Sequence, residues 1–304
     1  MAEGAGNGAI VPIHELAALG AAACWAVTGL LAARPVAEVG PFAFNLYRQS
    51  FVALVLTALV LVSGAWRGTD PGLLPVLALS GFVGVFLGDT VLFFALRRLG
   101  PRRTGALFAM NAPMAALLGW LILGESLSAM GAAGVVLCAA GVAVCVLGRA
   151  PANHLERVHG PIWQGMAFGL LAALGQASGS LIARPAMAAG LDPVVGSLVR
   201  VGVAVLCLGA LMRLPLPLTR PAGRLSGRAA AQIAASGVLA MVMGMTLLLF
   251  ALQGGKVGIV STLSALSPVL ILPVLWAITG ERPPAASWAG ALIAVAGMAL
   301  IFLR

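Results

Sequence analysis

The chain says the same thing twice. Residues Ser261 to Glu281 read STLSALSPVLILPVLWAITGE, an apolar helix carrying Pro268 and stopping at Gly280-Glu281. Residues Gly105 to Glu125 read GALFAMNAPMAALLGWLILGE, with Pro113 and Gly124-Glu125 in the same roles. At an offset of 156, Ser80-Gly81 falls on Ser236-Gly237, Gly88 on Gly244, Thr90 on Thr246, Gly134 on Gly290 and Gly141 on Gly297. Nearer the start, an offset of 150 pairs Ala33-Arg34-Pro35 with Ala183-Arg184-Pro185, and an offset of 152 pairs Pro41 and Arg48 with Pro193 and Arg200. A tail (1–15), a first unit (16–149), a linker (150–160) and a second unit (161–304) follow, and any fold must be built from two copies of one unit.

Composition selects the solvent. With 61% hydrophobic and 9% charged residues, the chain lies far from soluble domains, where about a quarter of residues are charged. It reads as an integral, multi-pass protein of the cell (inner) membrane. The net charge of +9 does not point to nucleic acid, because the arginines are scattered at the ends of apolar segments with no basic stripe interleaved with aromatics. The first fifteen residues hold no Lys or Arg, so the first apolar segment reads as a retained membrane helix and not as a cleaved leader. Cys24, Cys138, Cys145 and Cys207 lie inside apolar segments as small buried hydrophobes.

A bilayer-spanning helix needs about 20 apolar residues. On that measure five segments fall in each unit: Leu16–Ala33, Phe42–Val62, Leu73–Leu96, Thr104–Leu123 and Leu127–Leu147, then Ile162–Ala183, Val194–Met212, Ala229–Leu252, Val257–Thr279 and Ala286–Leu303. Five is odd, so the second unit must enter the membrane from the opposite side. The expected fold is therefore all-α, ten transmembrane helices as two inverted five-helix repeats, an arrangement found in secondary transporters.

Loop charge sets an orientation. One face receives Arg34, Arg97, Arg98, Arg102, Arg103, Arg149, Arg157, Arg213, Arg220, Arg224, Arg228 and Arg282; the other receives Arg67, Arg184, Lys256 and Arg304. By the positive-inside rule the first face is cytoplasmic and both termini lie outside.

The Pro-bearing helix, its Gly-Glu stop and the spaced glycines that follow (Gly124-Glu125, Gly134 and Gly141; Gly280-Glu281, Gly290 and Gly297) resemble the EamA family of the drug/metabolite transporter superfamily. The arginines Arg48 and Arg200, and the Ala-Leu pairs Ala95-Leu96 and Ala251-Leu252, fit it too. The resemblance covers nearly the whole chain. It implies a ten-helix basket around a central cavity, with helices 5 and 10 peripheral, moving small metabolites across the membrane, often outward. It also implies cytoplasmic termini for many members, against the charge count.

An ionisable side chain at the centre of a membrane helix costs roughly 2.5–3.5 kcal/mol on insertion scales. Arg48, Asp89 and Arg200 are the three that call for an explanation. Arg48 lies early in the second segment and Asp89 late in the third, at matching depth, so an ion pair is available. In the second unit Met245 stands where Asp89 does, and Arg200 lacks the equivalent partner. One reading gives Asp89 charge or proton handling, with a coupling proton as candidate partner, and gives Arg200 an anionic group of the substrate. The other has the arginines snorkelling to the interface and Asp89 as a buried partner.

Polar residues at helical spacing mark further cavity faces: Ser264 and Ser267, following Ser261, on the ninth segment, and Thr104, Phe108 and Asn111 on the fourth. The serines serve tight helix packing equally well. Trp25 and Thr28 share a face of the first segment, with Gln176 and Ser178 in the matching region of the sixth. Glu125 and Glu281 read as helix caps. The glycines seven apart, Gly134 and Gly141, Gly290 and Gly297, suit either packing within the bundle or a dimer seam, so monomer and homodimer both stand.

No phosphate loop, His-x-x-x-His or Cys-x-x-Cys is present, all three histidines fall outside the apolar segments, and no cofactor or metal site is indicated. A secondary transporter of small metabolites, exporter or facilitator, is the leading reading. A membrane-embedded lipid-handling protein or enzyme is the alternative.

Overall fold

In a computed structural model, residues 13–123, 128–147, 158–215, 219–254, 260, 263–264 and 266–302 are described. Ser261, Lys256, Glu125, Arg149, Arg157, His154, Arg304 and most of the predicted tail and linker lie outside them. The regular elements among the described residues are all helical, with no strand among them. In chain order the helices are α1 (Ile13–Val39), α2 (Pro41–Ser63), α3 (Leu74–Ser80), α4 (Asp89–Leu99), α5 (Pro101–Phe108), α6 (Asn111–Leu123) and α7 (Ala129–Leu147). The second half gives α8 (Ile162–Ala188), α9 (Pro193–Met212), α10 (Gly227–Gly237), α11 (Thr246–Gly254), α12 (Ser267–Thr279) and α13 (Ala285–Phe302). Eight continuous helical segments among the described residues are long and apolar enough to cross a membrane, and α12 and the last helix are shorter apolar helices. The chain is a multi-pass membrane protein.

The repeat seen in the sequence is visible in the elements. α1 and α8 are both 27 residues long, each with a proline near its end, Pro35 and Pro185. α3 passes into α4 through a π-helical segment, Gly81–Gly88, and α10 passes into α11 through another, Val238–Met245. The widened turns follow no hydrophobic period, and nothing in the apolar pattern foretold them. Each first helix is handed to the other half: α1 packs along α10, α11 and α12, while α8 packs along α3, α4, α5 and α6.

Turns are set by Gly-Pro pairs. A single residue, Gly40 (φ 87°), separates α1 from α2, and Gly100 (φ 78°) separates α4 from α5. Glycine takes that left-handed backbone without a Cβ clash, and the proline that follows begins the next helix where no N–H partner is needed. Pro268 sits likewise in the first turn of α12. Pro113 acts differently: lacking an N–H, it breaks the predicted Thr104–Leu123 helix, and α5 and α6 meet through a turn at Ala109-Met110. The side chain of Asn111 answers the break, its Nδ2 donating to the Phe108 carbonyl at 2.6 Å.

Glycine contacts draw helices to backbone distance at several places. A Cβ on Gly141 would stand 2.4 Å from the Ala294 nitrogen, and one on Gly297 would stand 2.4 Å from the Cys138 nitrogen. The glycine face therefore packs α7 against α13 inside this chain. Another crossing sets Gly84 against Gly179 and Gly88 against Gly175.

Three expectations shift. Arg102 and Arg103 are buried and not loop charges: Arg102 Nη1 donates to the Cys145 carbonyl at 2.8 Å and to Ser287 Oγ at 2.6 Å, and Arg103 Nε donates to the Val146 carbonyl at 2.7 Å. These carbonyls end α7, where a cation meets the negative end of the helix dipole. His14 is inside α1, because the helix begins earlier than the apolar run; its Nδ1 lies 3.2 Å from the Phe250 carbonyl and its ring stacks on Phe250. The first and sixth segments also run past Ala33 and Ala183, so Arg34 and Arg184 lie within α1 and α8 ahead of their last turns.

Candidate functional site

The sequence at the start of α2, Asn45-x-x-Arg48-Gln49, puts three polar side chains on one face at i, i+3 and i+4. That face meets the start of α4. Arg48 Nη2 donates to Asp89 Oδ2 at 2.5 Å, Gln49 Nε2 donates to the same oxygen at 3.1 Å, and Asn45 Nδ2 donates to Thr90 Oγ1 at 3.0 Å. Thr90 in turn donates to the Phe86 carbonyl inside the π-helical segment. The Arg48 guanidinium lies over the Phe93 ring, 4.6 Å from its centroid. Arg48 and Asp89 are 2% and 6% exposed. Apolar walls and fixed donors make this a strong pairing, and removing one partner of such a buried pair is expensive.

The pair forms one edge of a cavity bounded by α1, α2, α4, α5, the start of α6, α8, the second π-helical segment and α12. Its volume is about 100 Å³, on a scale where one water needs about 10–15 Å³. That is room for several waters or a small solute. Most of its wall is apolar, with Leu92, Phe93, Phe108, Met241 and Ile271 among the lining residues.

Of the residues singled out from the sequence, Trp25, Thr28, Arg48 and Asp89 line this cavity, and so do Asn111, Gln176, Ser264 and Ser267. Several are already tethered. Trp25 Nε1 donates to the Ala240 carbonyl at 3.1 Å, within the second π-helical segment, where Gly244 leaves room for the indole: a Cβ there would lie 2.8 Å from Nε1. Thr28 Oγ1 donates to the Cys24 carbonyl at 2.8 Å, and Ser267 Oγ donates to the Ala22 carbonyl at 3.1 Å, tying α12 to α1. Thr104 also lines the cavity, and its hydroxyl has no partner among the described residues.

Arg200 and Ser178 do not line it. Arg200 is 0% exposed, its Nη1 donating to Met245 Sδ at 3.3 Å, while its Nε and Nη2 have no partner among the described residues. It is near enough to Asp89 to feel the carboxylate's charge. Its room comes from glycines: a Cβ on Gly81 would stand 2.6 Å from the Arg200 Cα, and one on Gly84 would stand 2.9 Å from Nη2.

Asn45 and Gln49 were missed by the sequence reading. The signal was present, since both share the helical face of Arg48, but neither carries a charge that would make its burial conspicuous.

Residues 13–147 and 163–303 each match the EamA-like transporter family. The chain belongs to that family. It is thus a membrane transporter of the drug/metabolite transporter type, a class whose EamA members are transporters and not enzymes. No curated protein matches the chain. A solved crystal structure of another protein shares the fold, with a TM-score of 0.68 at 21% identity, covering 95% of this chain and 96% of that one. The family match spans both halves, so the polar network of α2 and α4 and the cavity beside it belong to the EamA-like fold and not to an added domain.

Proposed function

We propose that this chain is a secondary transporter of small metabolites, exporter or facilitator, working in the inner membrane by alternating access. The observation that carries the reading is a mid-depth cavity with an ionic edge. Asp89 lies ten residues from the end of α4, or about 15 Å at about 1.5 Å per residue, half-way through a bilayer core of about 30 Å. A lipid-handling protein or enzyme would gather its polar groups near one interface. The ten predicted segments, taken as two inverted sets of five, supply the moving parts: two halves that exchange their first helices and rock about the cavity. The proposed solute contacts are the eight lining residues named above, with Arg200 and Ser178 reserved for the opposite-facing state.

Uptake and counterflow into liposomes holding the purified protein test the reading, with a panel of amino acids, nucleobases, organic cations and organic anions, with and without a pH gradient. Flux of at least one solute is expected, and its loss or changed pH dependence in Asp89→Asn would place Asp89 in the mechanism. A folded protein that moves nothing on the panel counts against the proposal.

Orientation follows from charge. The Ala222 nitrogen donates to the Val39 carbonyl at 3.0 Å and the His159 nitrogen to the Arg98 carbonyl at 2.8 Å, which holds the Arg220–Arg228 loop at the end of α1 and residue 159 at the end of α4. The positive-inside rule makes this arginine-rich end cytoplasmic. In a variant stripped of its four native cysteines, a cysteine at Arg67 should react with an impermeant maleimide on intact cells and one at Arg224 should not; the reverse pattern overturns the orientation.

A further inference from the structure

The two halves build related polar joints around an arginine and a threonine. Asn45 bonds Thr90 in the first half, and the equivalent Ser197 and Thr246 lie 3.2 Å apart in the second. Arg48 bonds Asp89, and the equivalent Arg200 donates to the thioether of Met245, its one partner among the described residues. The second joint keeps the arginine and the threonine, has Ser197 and Val201 in place of Asn45 and Gln49, and has Met245 where the carboxylate stands.

The charge is therefore unbalanced. Arg48, Asp89 and Arg200 sum to +1; among the described residues Arg48 and Asp89 are the charged side chains on the cavity wall, and Arg200 stands behind Met245. A buried guanidinium without an anion is strongly unfavourable, and Arg200 keeps Nε and Nη2 unpartnered among the described residues in a site that no water-exposed surface reaches. Met245 lies between: it lines the cavity on one side and accepts from Arg200 on the other. Its unbranched side chain changes rotamer easily.

We propose that Arg200 is the docking group for an anionic head of the transported solute, uncovered when Met245 swings aside, and that the solute class is a small amphipathic monoanion, a carboxylate on an apolar body. This rests on the transporter reading above. One negative charge cancels the excess, the carboxylate takes the free N–H groups of the guanidinium as charge-assisted hydrogen bonds, and the apolar body meets Phe93, Phe108 and Ile271. Arg48 is already neutralised by Asp89, so selection for the anion falls to the second half.

The test uses three probes of one shape, 3-phenylpropanoate, 3-phenylpropanamide and 3-phenylpropylammonium, in proteoliposome uptake and in thermal stabilisation of the purified protein. The wild type should favour the carboxylate over the amide by about tenfold or more in both, the worth of one hydrogen bond to a charged group. Met245→Asp supplies Arg200 with the counter-ion that Asp89 gives Arg48, and it should erase that preference; Met245→Leu should keep it. An unchanged carboxylate preference in Met245→Asp overturns the assignment to Arg200. Uptake of the amide or the ammonium without the carboxylate overturns the solute class and leaves the transporter reading intact. If no probe and no panel solute moves, the transporter reading falls, and stabilisation decides the anion site alone: greater stabilisation by the carboxylate than by the amide upholds it, and equal stabilisation ends it.

Discussion

Asp89→Ala is expected to lower the unfolding free energy by about 3–5 kcal/mol, the usual cost of leaving one member of a buried ion pair without its partner. The carboxylate oxygen Oδ2 receives both Arg48 Nη2 at 2.5 Å and Gln49 Nε2 at 3.1 Å. Its loss leaves two guanidinium groups, Arg48 and Arg200, buried with no carboxylate near either. Arg48→Met with Asp89→Leu should recover most of the loss, because an apolar pair of similar bulk carries no desolvation penalty. Gln49 limits the recovery, since its Nε2 then keeps only the Asn45 oxygen at 3.3 Å. Denaturant unfolding in micelles for the two single variants and the double gives the coupling between the positions. A single-variant cost well below 1 kcal/mol would mean that the pair does not hold α2 to α4. If the double recovers stability and still carries no solute, the pair has a role in transport separate from folding.

Arg48 and Asp89 were legible together because each is charged and their depths, counted from adjoining segment ends, coincide. The repeat was legible because glycines and prolines recur at fixed offsets, and those residues fix turns and close crossings whatever the surrounding apolar residues are. The cavity faces of α1, α5 and α12 followed from polar side chains at helical spacing. Other features left no such mark. The π-helical segments Gly81–Gly88 and Val238–Met245 close each hydrogen bond one residue further along than an α-helix, inside wholly apolar stretches, so no periodic signal betrays them. Arg200 stood out as an ionisable residue inside an apolar segment without a partner like Asp89, and Ser178 as lying in the region of the sixth segment that matches Trp25 and Thr28. Their absence from its wall reflects a bundle whose halves, equal in sequence pattern, are not in equal positions around the cavity in this conformation. Arg102 and Arg103 looked like loop charges, and only the approach of the end of α7 gives them carbonyls to bond.

Gly141→Leu is expected to cost about 3 kcal/mol or more, at or beyond the upper end for overpacked sites, and Gly297→Ala about 1–3 kcal/mol. The atoms that an added Cβ meets are backbone: Ala294 N at 2.4 Å and Gly290 O at 2.6 Å for position 141, Cys138 N at 2.4 Å and Gly134 O at 2.7 Å for position 297. No rotamer change relieves such a contact, so the helices themselves must separate, and in a bilayer close van der Waals packing is what holds them together. Separation would also draw the α7 carbonyls away from Arg102 and Arg103. No residue of α7 or α13 lines the cavity. Thermal unfolding of the variants should therefore fall while flux per folded molecule in liposomes stays at the wild-type level. Flux that drops ahead of stability would mean that the α7–α13 pair moves with the transport cycle, and that a rigid brace is the wrong description of it.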